Sequence, residues 1–118
     1  MNCESDTVEL ANSMGFAVAR FNRLEFAHDN EICDRTGGIY DLCPEHTSFT
    51  AISAWAWGYT VAMDALERIP FADVENVGIT GHSRGGKTVL LAAAAPPPSI
   101  SRLTPSRRSA LSLIGNNF

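Results

Sequence analysis

The sequence predicts an α/β fold with parallel strands, and three observations carry that prediction. Two short apolar runs, residues 16–21 and 74–80, have the length and composition of buried strands. An amphipathic helical segment lies between them, and a strand, a packed helix and a second strand imply a right-handed parallel crossover. The turn Gly81-His82-Ser83-Arg84-Gly85 then joins the second strand directly to the helix-forming stretch 89–95.

In chain order, residues 7–14 read as a short helix, with Val8, Leu10, Ala11 and Met14 at helical spacing and Gly15 as its stop. Residues 16–21 form the first strand. From 22 to 47 the chain is polar and broken by Asp29-Asn30, Gly37-Gly38 and Pro44. A connection of that length tends to be functional in a compact domain, and Ile39-Tyr40-Asp41-Leu42 can add a short extended piece within it. Ser48 or Thr50 caps the next helix, which runs to Ile69 and is stopped by Pro70. Its stripe of Ile52, Trp55, Tyr59, Ala62, Leu66 and Ile69 should face a sheet. Gly58 inside that helix costs about 1 kcal/mol relative to Ala, which implies close packing there.

With 118 residues the chain has room for one small domain. Its formal charge of −4 argues against a nucleic-acid partner, since phosphate binding wants a basic surface. No run approaches the ~20 apolar residues of a membrane span, and the first residues carry no signal-peptide pattern. Cys3, Cys33 and Cys43 contain no C-x-x-C pair. Free thiols are the plainer reading, with a Cys33–Cys43 disulfide as the alternative in an oxidising compartment. All 13 acidic residues lie at or before Glu75, so the charge character changes sharply along the chain.

The turn at 81–85 reads as a nucleophile elbow. A serine on a tight strand-to-helix turn is lifted clear of the sheet, and the new helix's amides can stabilise an oxyanion. The same residues, Gly81 through Thr88, also satisfy G-x-x-x-x-G-K-[ST], a phosphate-cradling loop in which Lys87 would reach phosphate and Thr88 would hold Mg²⁺. Against it, no downstream strand ends in an aspartate and the loop comes late in the chain. A plain glycine-rich connection is the third reading. His28 with Asp29 and Glu31 makes a weak metal pattern, for want of a second spaced ligand pair. His28 and His46 read as solvated loop residues.

The run from Asp73 to Thr88 resembles the nucleophile region of the glucuronoyl esterases, carbohydrate esterase family 15, and their bacterial α/β-hydrolase relatives. Their motif of Gly, any residue, Ser, Arg, any residue, Gly, Lys is matched by Gly81, Ser83, Arg84, Gly86 and Lys87. The Trp-rich block Ala51-Ile52-Ser53-Ala54-Trp55-Ala56-Trp57-Gly58 is similar to the family's preceding helix, and Arg35 to Leu42 resembles a stretch in some bacterial members. The resemblance covers residues 8–95. It implies an incomplete α/β-hydrolase fold and hydrolysis of an ester on a glucuronic acid carboxyl group, of the 4-O-methyl-glucuronoyl methylesterase kind. Ser83 would be the nucleophile, Arg84 would support the oxyanion and Lys87 would sit by sugar hydroxyls. The implied partner is a glucuronoxylan-type carbohydrate ester; no cofactor or metal is implied. Family members are often secreted or periplasmic. An acetyl-ester or general carboxylesterase is the alternative within hydrolases. A nucleotide-binding protein using 81–88, or a degenerate binding module, are the alternatives outside them. Without the resemblance, Arg84 reads as a surface salt-bridge residue and Lys87 as a helix-surface lysine.

The departures from the family lie downstream of the serine. In this fold the order is serine, acid, histidine, yet from Thr88 to Phe118 there is no Asp, Glu or His. The expectation is therefore a hydrolase fragment over 1–95, inactive alone, and able to self-associate through exposed sheet edges. Residues 96–118, opened by three prolines and carrying Arg102, Arg107 and Arg108, are expected to be a divergent, disordered tail. A shifted reading frame or a misplaced exon near codon 95 would produce such a break; a basic tail for an acidic partner is the rival.

Overall fold

The computed structural model describes residues 3–30, 35–45, 48–94 and 111–115. The elements are α1 (Cys3–Ser13), β1 (Val18–Phe21), a 3₁₀ turn (Arg23–Glu25), α2 (Ile39–Leu42), α3 (Ala51–Leu66), β2 (Val77–Thr80), α4 (Arg84–Ala94) and β3 (Leu111–Gly115).

Helix α3 organises the molecule. Thr50 is its N-cap, the hydroxyl accepting the Ser53 amide at 3.2 Å, so of the two cap candidates Thr50 holds the position. The regular helix stops at Leu66, short of the expected Ile69, and the chain turns through Ile69 N–H to Leu66 C=O before Pro70. Trp55, Tyr59 and Leu66 of the anticipated stripe are buried, joined by Ala54, Gly58 and Met63. A Cβ on Gly58 would lie 2.5 Å from the Phe21 ring, which accounts for glycine in mid-helix. Tyr59 stands edge-on to Phe21 at 5.0 Å and, with Met63, Leu66, Val77 and Ala92, forms the core between α3, β2 and α4.

A second core lies under the long loop, where Trp55, Ala54, Tyr40 and Ala27 pack together. Its loop is tied down rather than irregular throughout. Residues 39–42, expected as extended, form the helical turn α2. The Gly37 amide donates to Asp41 Oδ1, and the Ile39 amide donates to Phe26 C=O, which together close the turn. Tyr40 stacks on Phe49 at 4.5 Å and donates its hydroxyl to the Phe49 carbonyl at 2.8 Å. Burial pushes the Tyr40 phenol upward from its ordinary value, against the opposing pull of Arg35.

The sheet has three parallel strands in the order β1-β3-β2. Both outer strands are shorter than the sequence implied, and they do not pair with each other. Instead β3 fills the space between them, with Leu113 opposite Ala19 on one side and Ile79 on the other. The expectation of a disordered tail therefore does not hold for 111–115. Five residues are too few for a periodic signal, and only the two facing edges of β1 and β2 supply hydrogen-bond partners for them. The rest of the expected tail, 96–110 and 116–118, lies outside the described residues. So do Cys33 of the weighed disulfide, Glu31 and His46; Cys43 is a half-buried free thiol. Among the described residues no helix is long and apolar enough to cross a membrane. Helix α1 begins at Cys3, four residues before the expected start, and ends at Ser13, one residue short of the expected Met14.

Candidate active site

Ser83 stands between the last residue of β2 and the first of α4, so the turn consists of Gly81, His82 and Ser83 alone. Its φ of 52° is the single positive value among the described non-glycine residues. A serine gains nothing locally from that conformation, and an L-residue there carries strain of order 1–3 kcal/mol. The surrounding bonds impose it: Gly85 N–H donates to His82 C=O at 2.8 Å and Lys87 N–H to Ser83 C=O at 3.2 Å. Below the turn, Tyr59 of α3 donates its hydroxyl to Thr80 C=O at 3.1 Å and holds the end of β2 against the helix. Ser83 is exposed, in the position that a nucleophile elbow requires. Among the described residues the Arg84 amide, first in α4, has no partner in the backbone bonds of the turn.

The turn is possible because position 81 is glycine. A Cβ there would stand 2.6 Å from the Gly85 carbonyl carbon and oxygen, which are backbone atoms and cannot swing aside. Gly81→Ala should therefore destabilise by about 1–3 kcal/mol, the usual range for overpacking, despite the smaller entropy of the unfolded alanine chain. Denaturant titration checks this, and an unchanged midpoint would mean that the turn is wider than described.

The phosphate-loop reading of 81–88 does not fit this geometry. Helix α4 has already begun at Arg84, so the Gly85 and Lys87 amides are committed to His82 and Ser83 and no open cradle of amides remains. Thr88, the residue assigned to Mg²⁺, is 2% exposed and donates its hydroxyl to Arg84 C=O at 2.9 Å.

Lys87 is exposed on α4, one turn beyond Ser83, as a helix-surface lysine would be. Arg84 forms an ion pair, the reading open to it without the resemblance. Its Nη1 donates to Asp29 Oδ1, while Asp29 Oδ2 accepts Arg23 Nη2 at 2.5 Å. Arg23 is buried and lies over the Trp55 ring at 4.5 Å. The Trp55 indole N–H in turn donates to Ala27 C=O at 2.9 Å. Asp29 thus belongs to an arginine cluster, while Glu31 of the weighed metal pattern lies outside the described residues. His28 is exposed, its ring against Gly37 and its Nδ1 3.4 Å from the Thr36 hydroxyl. No group of ligating side chains suited to a metal is present among the described residues. Nothing in the sequence marked Arg23 and Trp55 at the site, nor Asp29 as the partner of Arg84, since Asp29 meets Arg84 across 55 positions with no local spacing to announce it.

Comparison with known proteins places these features. The family described as glucuronyl esterase of fungi matches residues 2–100. The chain is 35% identical over 95 residues to 4-O-methyl-glucuronoyl methylesterase 1 of Wolfiporia cocos, covering 78% of this chain and 23% of that protein. It is 40% identical over 86 residues to 4-O-methyl-glucuronoyl methylesterase 1 of Sodiomyces alcalophilus, covering 70% and 17%. Over 83 residues it is 40% identical to the 4-O-methyl-glucuronoyl methylesterase of Hypocrea jecorina, covering 68% and 18%. The chain thus spans roughly a fifth of the length of these relatives. No solved structure matches it. A match over residues 2–100, with the strained serine turn inside it, assigns the family: the chain belongs to the fungal glucuronyl esterases.

Proposed function

We propose that this chain is the nucleophile-bearing segment of a serine esterase that cleaves an ester on the carboxyl group of a glucuronic acid unit in a plant polysaccharide. The observation that carries the reading is Ser83 at φ 52° between β2 and α4, within a chain of this family. In the proposed chemistry Ser83 Oγ attacks the ester carbonyl and the Arg84 amide and guanidinium face the developing oxyanion. Lys87 meets sugar hydroxyls from the next turn of α4. The parallel strands, the connecting helix α3 and the elbow support reading the fold as part of an α/β-hydrolase sheet.

The segment as it stands lacks an activated nucleophile. A serine hydroxyl is a poor nucleophile until a base takes its proton, and loss of triad members costs several orders of magnitude in rate. No Asp, Glu or His follows Ser83 in the chain, and among the described residues nothing hydrogen-bonds to its hydroxyl. The expected result is no measurable turnover of the methyl ester of 4-O-methylglucuronate, together with amide shifts at 83–87 that saturate with the ester. Added imidazole should restore a slow release of methanol that disappears in Ser83→Ala. Turnover comparable to a complete esterase without added base would overturn the inactive-segment reading. Saturation of 81–88 by ATP and Mg²⁺, with no response to the ester, would overturn the esterase reading itself.

A further inference from the structure

We infer that Asp29 is a positioning residue for Arg84: it holds the guanidinium beside Ser83 in one orientation, with the free side of the fork open to an incoming carboxyl-derived group. This rests on the esterase reading of the elbow. The geometry is that of a clamp with both ends fixed. Asp29 Oδ1 takes Arg84 Nη1 and Asp29 Oδ2 takes Arg23 Nη2, so a single carboxylate uses both oxygens on arginines from different parts of the chain.

The buried end cannot drift. Arg23 has 8% of its side chain exposed and is seated on Trp55, itself 2% exposed in α3. The backbone carrying Asp29 is held from both sides. Trp55 binds Ala27 C=O, the Phe26 carbonyl accepts the Ile39 amide, and the His28 amide donates to Thr36 C=O. The outer end is different, since the Arg84 side chain is 49% exposed. A guanidinium has five N–H donors in a rigid fork, and Asp29 engages one edge of it. The Arg84 side chain is about half exposed, so donors that Asp29 does not take are open to solvent on the residue that follows the strained serine. The exposed guanidinium of Arg84 carries the sign of charge required opposite an oxyanion or a released glucuronate.

A free arginine on a helix surface samples many rotamers, and fixing it costs conformational entropy at the moment of binding. Asp29 removes that cost in advance, which is the energetic content of positioning. It does so from the loop after β1, so that the first strand's loop and the second strand's elbow become one site.

The test is nuclear magnetic resonance on the full chain, reading the Arg84 guanidinium and titrating with sodium glucuronate. In the wild type the Arg84 Nη resonances should be separate and slow to interchange, and glucuronate should shift the Ser83 and Arg84 amides. In Asp29→Asn, which can still accept a hydrogen bond from Arg23, the Arg84 signals should merge and glucuronate affinity should fall about tenfold, the scale of one newly mobile long side chain. Arg84→Ala should lose the glucuronate response altogether. Merged signals with unchanged affinity would make Asp29 a structural clasp and overturn the proposal, as would tighter binding in Asp29→Asn, which would mean that its charge merely screens Arg84. Should Asp29→Asn fail to fold, averaged Arg84 signals in the wild type would by themselves overturn it. A wild type that shows slow guanidinium exchange and no response to glucuronate would fail the esterase reading while leaving the clamp in place.

Discussion

Leu113→Pro should abolish cooperative folding of this chain, as should removal of residues 111–115. Among the described residues strands β1 and β2 make no pairing with one another; each is paired to β3, from Val18 opposite Ser112 to Phe21 opposite Gly115 and from Val77 opposite Leu111 to Thr80 opposite Ile114. A central strand commits its amides to its two neighbours, and proline has no amide to give and no tolerance for that position. Breaking this strand severs both ladders at once and leaves two inner edges of unpaired backbone groups. Small domains have only about 5–15 kcal/mol of stability, with the smallest at the low end, so losing the whole sheet exceeds what α3 and its cores can hold. Circular dichroism on thermal denaturation reads the result, with self-association through the bared edges as its companion. Hydrogen exchange in the wild type supplies the complementary measurement: amides 111–115 should exchange far more slowly than those of a free peptide. Fast exchange there, or a Leu113→Pro variant melting like the wild type, would remove β3 from the sheet.

The second large effect is Trp55→Ala, expected to cost about 3–5 kcal/mol, the range for deleting a buried aromatic side chain. Trp55 is 2% exposed, donates to Ala27 C=O and supports the Arg23 guanidinium. Truncation therefore opens a cavity, orphans a carbonyl and unseats the anchor of Asp29 in a single change. Trp55→Phe should recover part of the loss, keeping the apolar volume without the indole donor. Trp57, two residues along the same helix, is the control. It is 52% exposed and meets Phe26 edge-on, so Trp57→Ala should cost well under half as much in the same denaturant titration. Equal losses at 55 and 57 would contradict the packing described for α3.

Local signals made some of this architecture readable in advance. The Thr50 cap, the buried run of α3 and the elbow are all written within a few residues, because helix periodicity and turn chemistry act over one or two turns. Gly58 showed its role as an apparent misfit, a helix-weakening residue that permits the approach of Phe21 and Phe26. Ser83 showed its place through the glycines around it. The failures share a cause as well. The run 39–42 has no helical period to read in four residues, and its turn closes through bonds from Gly37 to Asp41 and Ile39 to Phe26 that spacing does not reveal. The strand at 111–115 carries no decisive pattern, and it becomes a strand only where two parallel edges face each other.

By itself, then, the sequence determined the order of strand, helix, strand, serine turn and helix. Those features arise from steric limits on φ and ψ and from the spacing of apolar side chains, both of which act between near neighbours. Tertiary structure alone decided which strand stands at the centre of the sheet and what holds Arg84. Both depend on partners far apart in the chain: β3 with β1 and β2, and Asp29 with Arg84 across 55 positions. Backbone edges and charged groups have no period and no preferred separation along a chain, so only the closed fold can bring their partners to them.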